Sequence, residues 1–239
     1  MLFYEKKTSL RVSDYDAEDR IKPQAILDLF QQVATLHADI IGIGFKEMLK
    51  RDIIWVTVRL KYEVVRNPEY CAEVTLRTWP HREGRVDFDR DYEILDEKGD
   101  VLIKGSSKWC VVNVKTRKIL FGGEVTYGDG EYYEQKVFPE GIKKIKDFPT
   151  DGFFEYDGRT EYSDLDHNGH VNNARYCEFI QDAVRLDRGR EIKTFAIDFI
   201  NEMKADTPFR LFYGEENGVY RVKALTGDTE NFRAEFTVV

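Results

Sequence analysis

The ten residues from Asp164 to Asn173 read DLDHNGHVNN and set a carboxylate, an amide and an imidazole at alternate positions, Asp166, Asn168 and His170. A neutral imidazole exchanges protons near neutral pH, and an amide N–H donates to a carbonyl. A carboxylate orients either group or serves as a base. Such a set suits attack on an acyl carbonyl, provided donors face the oxyanion as its charge develops. A plainer reading also fits, in which Asp166 or Asn168 caps a helix and His170 is a loop residue. His167, His170 and Asp166 match no standard metal-ligand spacing, and neither a metal nor a cofactor is expected.

A second copy of this stretch lies 150 residues earlier. VSDYDAEDRIKPQAILDLFQQVA, starting at Val12, aligns without gaps on YSDLDHNGHVNNARYCEFIQDAV, starting at Tyr162. Ser13, Asp14, Asp16 and Gln31 match Ser163, Asp164, Asp166 and Gln181, and apolar positions match alongside them. Duplication explains the shared entry. The copies diverge where chemistry would reside, because Glu18 and Arg20 stand at the places of Asn168 and His170. The second half should therefore be the active one, and the first a retained scaffold.

These residues need elements to hold them. Both stretches read as a strand end, a tight polar loop and a helix. In the first copy Pro23 suits an early helical position, and Ile26, Leu29, Phe30, Val33 and Ile40 form an apolar stripe. In the second, Val171, Ala174, Cys177, Ile180 and Val184 predict a helix running to about Asp187 and stopping near Gly189, so that its amino end would help polarise a substrate carbonyl. Strand-rich segments follow each helix: 53–65, 72–79, 85–95 and 101–114 in the first half, then 193–203, 209–216, 218–226 and 232–239. Each half is expected to be one helix followed by an antiparallel meander, an α+β arrangement in which a helix is wrapped by a curved sheet. The polar, glycine-containing segment from Phe121 to about Gly152 is the expected linker.

Composition excludes several classes. The chain has 239 residues, 42% hydrophobic and 33% charged, with 16 Phe and 13 Tyr available for a core or an apolar pocket. A net charge of −8 argues against general nucleic-acid binding. An acidic partner would need a local basic patch, for which Lys143, Lys144 and Lys146, or Arg188, Arg190 and Lys193, are candidates. Cys71, Cys110 and Cys177 suggest neither a disulfide framework nor a zinc site, and Cys177 reads as a buried helical residue. The start MLFYEKKTSL has no signal-peptide pattern and no apolar run reaches membrane-span length, so a cytoplasmic location is expected.

SDLDHNGHVNNARYCEFI closely resembles the motif of plant and bacterial acyl-acyl-carrier-protein (acyl-ACP) thioesterases, and IIWVTVRLKYEVVRNPEY with SSKWCVVNVKTRKI resembles the first module of that family. The similarity runs from about Phe3 to the C-terminus. It implies a tandem hot-dog fold, with a non-catalytic first module at 1–130 holding the acyl chain and a catalytic second module at 148–239. It also implies that Asp166, Asn168 and His170 work with a Glu in the segment DFINEMKADTP, which is Glu202, on the predicted strand Lys193–Met203. The family often has Cys after this Glu, where this chain has Met203, a departure that disfavours a thiol nucleophile there. The implied activity is hydrolysis of fatty acyl-ACP to free fatty acid. The partner would be acyl carrier protein bearing a phosphopantetheine-linked chain. An acyl-CoA thioesterase on the same scaffold, or a non-catalytic acyl-thioester binding module, remains the alternative. Whether two copies pair as a homodimer is open, as is chain-length preference.

Overall fold

The structure is a computed structural model that describes residues 3–125, 132–186 and 189–239. The chain packs as two compact units, Met1–Val12 with Asp28–Ile142 and Ser13–Leu27 with Lys143–Val239.

In the first unit, strands β1 (Tyr4–Ser9), β2 (Ile53–Val64), β3 (Glu73–Pro80), β4 (Phe88–Leu95) and β5 (Val101–Asn113) form an antiparallel sheet in the order β1-β3-β4-β5-β2. Helix α1 (Pro23–Ile40) begins on the expected proline. Its residues from Asp28 onward belong to this unit, and Phe30 stacks on Tyr92 with ring centroids 4.5 Å apart. Phe30 also lies over Gly105, where a Cβ would come within 2.2 Å of the ring, so the strand needs glycine beneath the helix. Ile26, Leu29, Phe30 and Val33 are buried as the stripe requires, whereas Ile40, at the last turn, is 53% exposed. The short helix α2 (Phe45–Leu49) follows, and its Met48 packs with Ile43, Ile53, Phe88, Val111 and Val125.

The second unit repeats the plan. Strands β6 (Phe154–Arg159), β7 (Ile192–Phe199), β8 (Pro208–Glu216), β9 (Val219–Thr226) and β10 (Thr229–Val238) run in the order β6-β8-β9-β10-β7. Helix α3 (Arg175–Val184) lays Tyr176 against Phe232 and Phe199, and Phe179 against Phe209. It stops at Val184 because Arg185 turns into the left-handed region at φ 47°. The expected end near Asp187 falls outside the described residues. Each unit is thus a helix on an antiparallel sheet, the expected α+β hot-dog plan.

Neither half is a simple meander. The strand after each helix pairs with the last strand, β2 with β5 and β7 with β10, while the strand before the helix pairs with the second one after it. The leading strands β1 and β6 were expected only as strand ends before each loop, without a range, because YEKKTS and FEYDGR bury no residue and so carry no apolar alternation.

The expected linker is docked where it is described; residues 126–131 lie outside the described set. In the first unit, Asp91 Oδ2 accepts the Val137 N–H at 2.8 Å and pairs with His81 Nε2 at 2.9 Å, while Phe138 and Ile142 are buried. In the second, Asp198 Oδ2 accepts the Ile145 N–H at 2.9 Å, Lys223 donates to the Phe148 carbonyl at 2.6 Å, and Ile145 and Phe148 are buried. Lys143, Lys144 and Lys146 face outward between these anchors.

Candidate active site

Asp166 organises the loop. Its Oδ1 accepts the backbone N–H of Asn168 at 2.8 Å and of His170 at 3.4 Å, and its own N–H donates to the His170 carbonyl at 2.8 Å. Gly169 closes the turn at φ +77°, with its N–H on the Asp166 carbonyl at 3.0 Å, and a bridge between Leu165 and Val171 seals the base. Nothing lies within 4 Å of where a Gly169 Cβ would point, so the glycine serves the left-handed turn. Asn168 is exposed and its amide donates to Asp166 Oδ2 at 3.3 Å.

Two expectations are corrected here. Helix α3 starts at Arg175, five residues beyond His170, so Asp166, Asn168 and His170 form a self-contained turn and do not sit at a helix amino end. The N–H groups of Asn168, Gly169 and His170 are all bonded to Asp166. Strand β7 ends at Phe199, so Glu202 stands in the connection to β8 and not on the predicted strand. Ile200 and Asn201 end the pairing by donating their N–H groups to one acceptor, the Asn231 carbonyl, at 2.8 and 3.0 Å.

The loop and Glu202 nonetheless meet. His170 Nε2 lies 3.2 Å from Glu202 Oε1, with the imidazole 27% and the carboxylate 47% exposed. The Val171 N–H donates to the Met203 carbonyl at 2.9 Å, which fastens the loop to the residue after Glu202. Below the loop, Asp164 is buried and accepts Arg175 Nε at 3.0 Å, Arg175 Nη2 at 2.8 Å and the Glu161 N–H at 2.7 Å. Tyr176 is 4% exposed and is packed edge-on against Phe199 and Phe232. Burial, chiefly, and the neighbouring carboxylates Glu202 and Asp166 push this phenol well above its ordinary range, so it keeps its proton. Sequence reasoning missed Arg175 and Tyr176, although both stand in the quoted motif; their partners become visible only after folding.

Cys177 is buried, as expected of a helical cysteine, and Met203 is buried as well, each 1% exposed.

The first copy keeps the turn and carries different side chains on it. Asp16 Oδ1 accepts the N–H groups of Glu18 at 2.8 Å and Arg20 at 3.0 Å, and Asp19 takes the left-handed position of Gly169 at φ 57°. Arg20 instead donates to the Arg190 carbonyl and to Glu18 Oε2, while Glu18 accepts the Gly189 N–H at 2.9 Å. Val65 and Arg66 both donate to Leu102, as Ile200 and Asn201 do to Asn231, which makes Asn67 the counterpart of Glu202. Asn168, His170 and Glu202 thus correspond to Glu18, Arg20 and Asn67, a set with no group that titrates as imidazole does.

Comparison with known proteins adds an independent line. The family model for the acyl-ACP thioesterase N-terminal domain matches residues 1–121, and that for the C-terminal domain matches residues 149–231. A palmitoyl-acyl carrier protein thioesterase of Arabidopsis thaliana is 27% identical over 86% of this chain and 53% of its own length. An oleoyl-acyl carrier protein thioesterase of the same plant is 28% identical over 94% of this chain and 66% of its own. The chain therefore spans about half to two thirds of the length of these curated relatives. Among solved structures, an acyl-ACP thioesterase from Bacteroides thetaiotaomicron superposes with a TM-score of 0.89 at 22% identity, covering 99% of this chain and 98% of that one. A 12:0-ACP thioesterase from Umbellularia californica gives 0.88 at 23% identity, covering 100% and 98%.

Proposed function

The chain belongs to the acyl-ACP thioesterase family, and from that premise we propose that it hydrolyses fatty acyl-acyl-carrier protein, releasing free fatty acid and ending chain elongation. The observation that carries this reading is the 3.2 Å approach of His170 Nε2 to Glu202 Oε1 beside a turn ordered by Asp166.

In the proposed reaction, water adds to the thioester carbonyl and gives its proton to the Glu202–His170 pair. Collapse of the tetrahedral intermediate breaks the C–S bond, and the same proton passes to the departing pantetheine sulfur, leaving carboxylic acid and thiol. A thiolate leaves readily, so the chief needs are a positioned nucleophile and a polarised carbonyl. Asn168 supplies the amide donor for the carbonyl oxygen, and Asp166 holds Asn168 and His170 in register. The acyl chain is assigned to the first module, residues 1–130.

Hydrolysis assays with matched acyl-ACP and acyl-CoA thioesters across chain lengths test the reading. His170→Ala and Glu202→Ala should stay folded and lose turnover by about 100-fold or more, whereas Cys177→Ala should stay active. Full activity in either of the first two sinks the site. Preference for CoA replaces the carrier, and no turnover of either thioester points to a binding module. Single turnover in oxygen-18 water separates attack by water from attack by Glu202, because only direct attack leaves label in the enzyme carboxylate.

A further inference from the structure

Glu202 stands outside any helix or strand, three residues past the end of β7 and half in solvent. A side chain so placed pairs reproducibly with His170 only if the backbone on both sides of it is held. Before it, Asn201 gives its N–H to the Asn231 carbonyl at 3.0 Å and its side-chain amide to the Glu230 carbonyl at 2.7 Å. After it, the Met203 carbonyl takes the Val171 N–H at 2.9 Å, and the Lys204 carbonyl accepts the hydroxyl of Thr160, the residue that follows β6. Thr160 is fully buried, and its hydroxyl oxygen in turn accepts the Thr207 N–H at 2.9 Å. One hydroxyl therefore bridges both ends of the turn 204–207, two residues beyond the glutamate.

The duplicated half holds the same turn without that hydroxyl. Leu10 stands at the position of Thr160 and donates its N–H to the Ala72 carbonyl at 2.9 Å, as Thr160 does to the Thr207 carbonyl at 3.0 Å. Ala72 is thus the counterpart of Thr207, and Glu69 that of Lys204. Cys71 and Asp206, at φ 55° and 56°, both take the left-handed position in the turn. In the first half the turn closes on itself, the Ala72 N–H reaching the Glu69 carbonyl directly at 3.1 Å. In the second half the Thr160 oxygen stands between the matching donor and acceptor. The hydroxyl accompanies the half that has a carboxylate to aim, since Asn67 takes the place of Glu202 in the other.

We propose that Thr160 is a positioning residue for Glu202: its hydroxyl, inserted into the turn after the glutamate, sets where that carboxylate stands against His170. This rests on the thioesterase reading and names a residue of the same site beyond the loop and its glutamate. Without the hydroxyl the turn is able to close directly, as its counterpart does, and to draw the segment 202–204 out of place. The hydroxyl acts through Glu202, so its loss should cost turnover and leave substrate binding alone.

The test is a double-mutant cycle in the full chain, using the acyl-ACP that the wild type turns over. Thr160→Val exchanges the hydroxyl for a methyl and keeps the branched shape; it should lower kcat about tenfold and change KM less than about twofold. Thr160→Ser, which keeps the hydroxyl, should recover most of that loss. In a Glu202→Gln background, already slowed about 100-fold, Thr160→Val should cost nothing further. Wild-type kcat in Thr160→Val, an equal loss in both backgrounds, or a serine variant as slow as the valine one overturns the proposal. Wild-type kcat in Glu202→Gln would instead overturn the site itself, so the two failures are separable. If Thr160→Val does not fold, Thr160→Cys, whose thiol is a weak donor and acceptor, replaces it. A severalfold fall in kcat then supports the proposal, and an unchanged kcat overturns it.

Discussion

Asp166 does two jobs with one carboxylate, ordering the main chain through Oδ1 and holding the Asn168 amide through Oδ2. Asn168→Ala should therefore leave the turn intact, because the Asn168 N–H remains on Asp166, and should lower kcat by about 10²–10³ if the amide is the carbonyl donor. Asp166→Ala should do more, releasing loop and amide together, and steady-state kinetics on the two variants ranks them. The cysteines offer a second check at this scale. Cys71 is exposed, Cys110 and Cys177 are buried, and burial pushes the Cys110 thiol up. A thiol reagent should label one cysteine in the native protein and all three in denaturant; fast native labelling of a second would contradict the packing. Asp166, Asn168 and His170 were legible because local spacing brings them together. Glu202 became legible only through family resemblance, since 32 residues separate it from His170 and no local pattern marks it. Arg175 and Tyr176 stayed hidden because what they meet, Asp164 for the one and Phe199 and Phe232 for the other, is set by the fold.

The strands with a buried face were readable as alternation or apolar clustering, and eight of the ten among the described residues were anticipated. The other two, β1 and β6, were expected only as strand ends because they bury nothing, and the pairing of β2 with β5 depends on long-range register that no window of sequence contains. The copies differ in element length. From Lys22 to Val65 is 43 residues, and from Asn172 to Ile200 is 28. The surplus encodes the longer α1 and all of α2, whose Met48 lies in the cluster with Ile43 and Val111. Helix α1 depends on Gly105 for its seat. Gly105→Ala should push a methyl into the Phe30 ring and toward the Lys61 carbonyl, 3.2 Å from the new carbon. The expected cost is about 1–3 kcal/mol, or a melting point lower by several degrees at roughly 2–4 °C per kcal/mol. An unchanged melting curve would show that the helix can lift without penalty.

Across the whole chain, the connecting segment carries its own fastenings. It is tied to the first unit by Asp91 and to the second by Asp198, and three exposed lysines lie between Val137 and Phe148. Trypsin needs a locally unfolded strip of backbone, so Asp198→Ala should speed cleavage at Lys143, Lys144 or Lys146 severalfold while global melting moves little. Equal cleavage rates would mean that the buried Ile145 and Phe148 suffice as anchors. No helix among the described residues is long and apolar enough to cross a membrane. The matching turns at Asp16 and Asp166 have a genetic consequence. In an assembly of two identical chains, every codon change appears in both turns at once. Here Arg20 bonds to the Arg190 carbonyl while His170 faces Glu202, so, on the proposed function, a library randomised at Glu18, Asp19 and Arg20 should change thermal stability and one at Asn168 and His170 should change turnover, each leaving the other turn's sequence untouched.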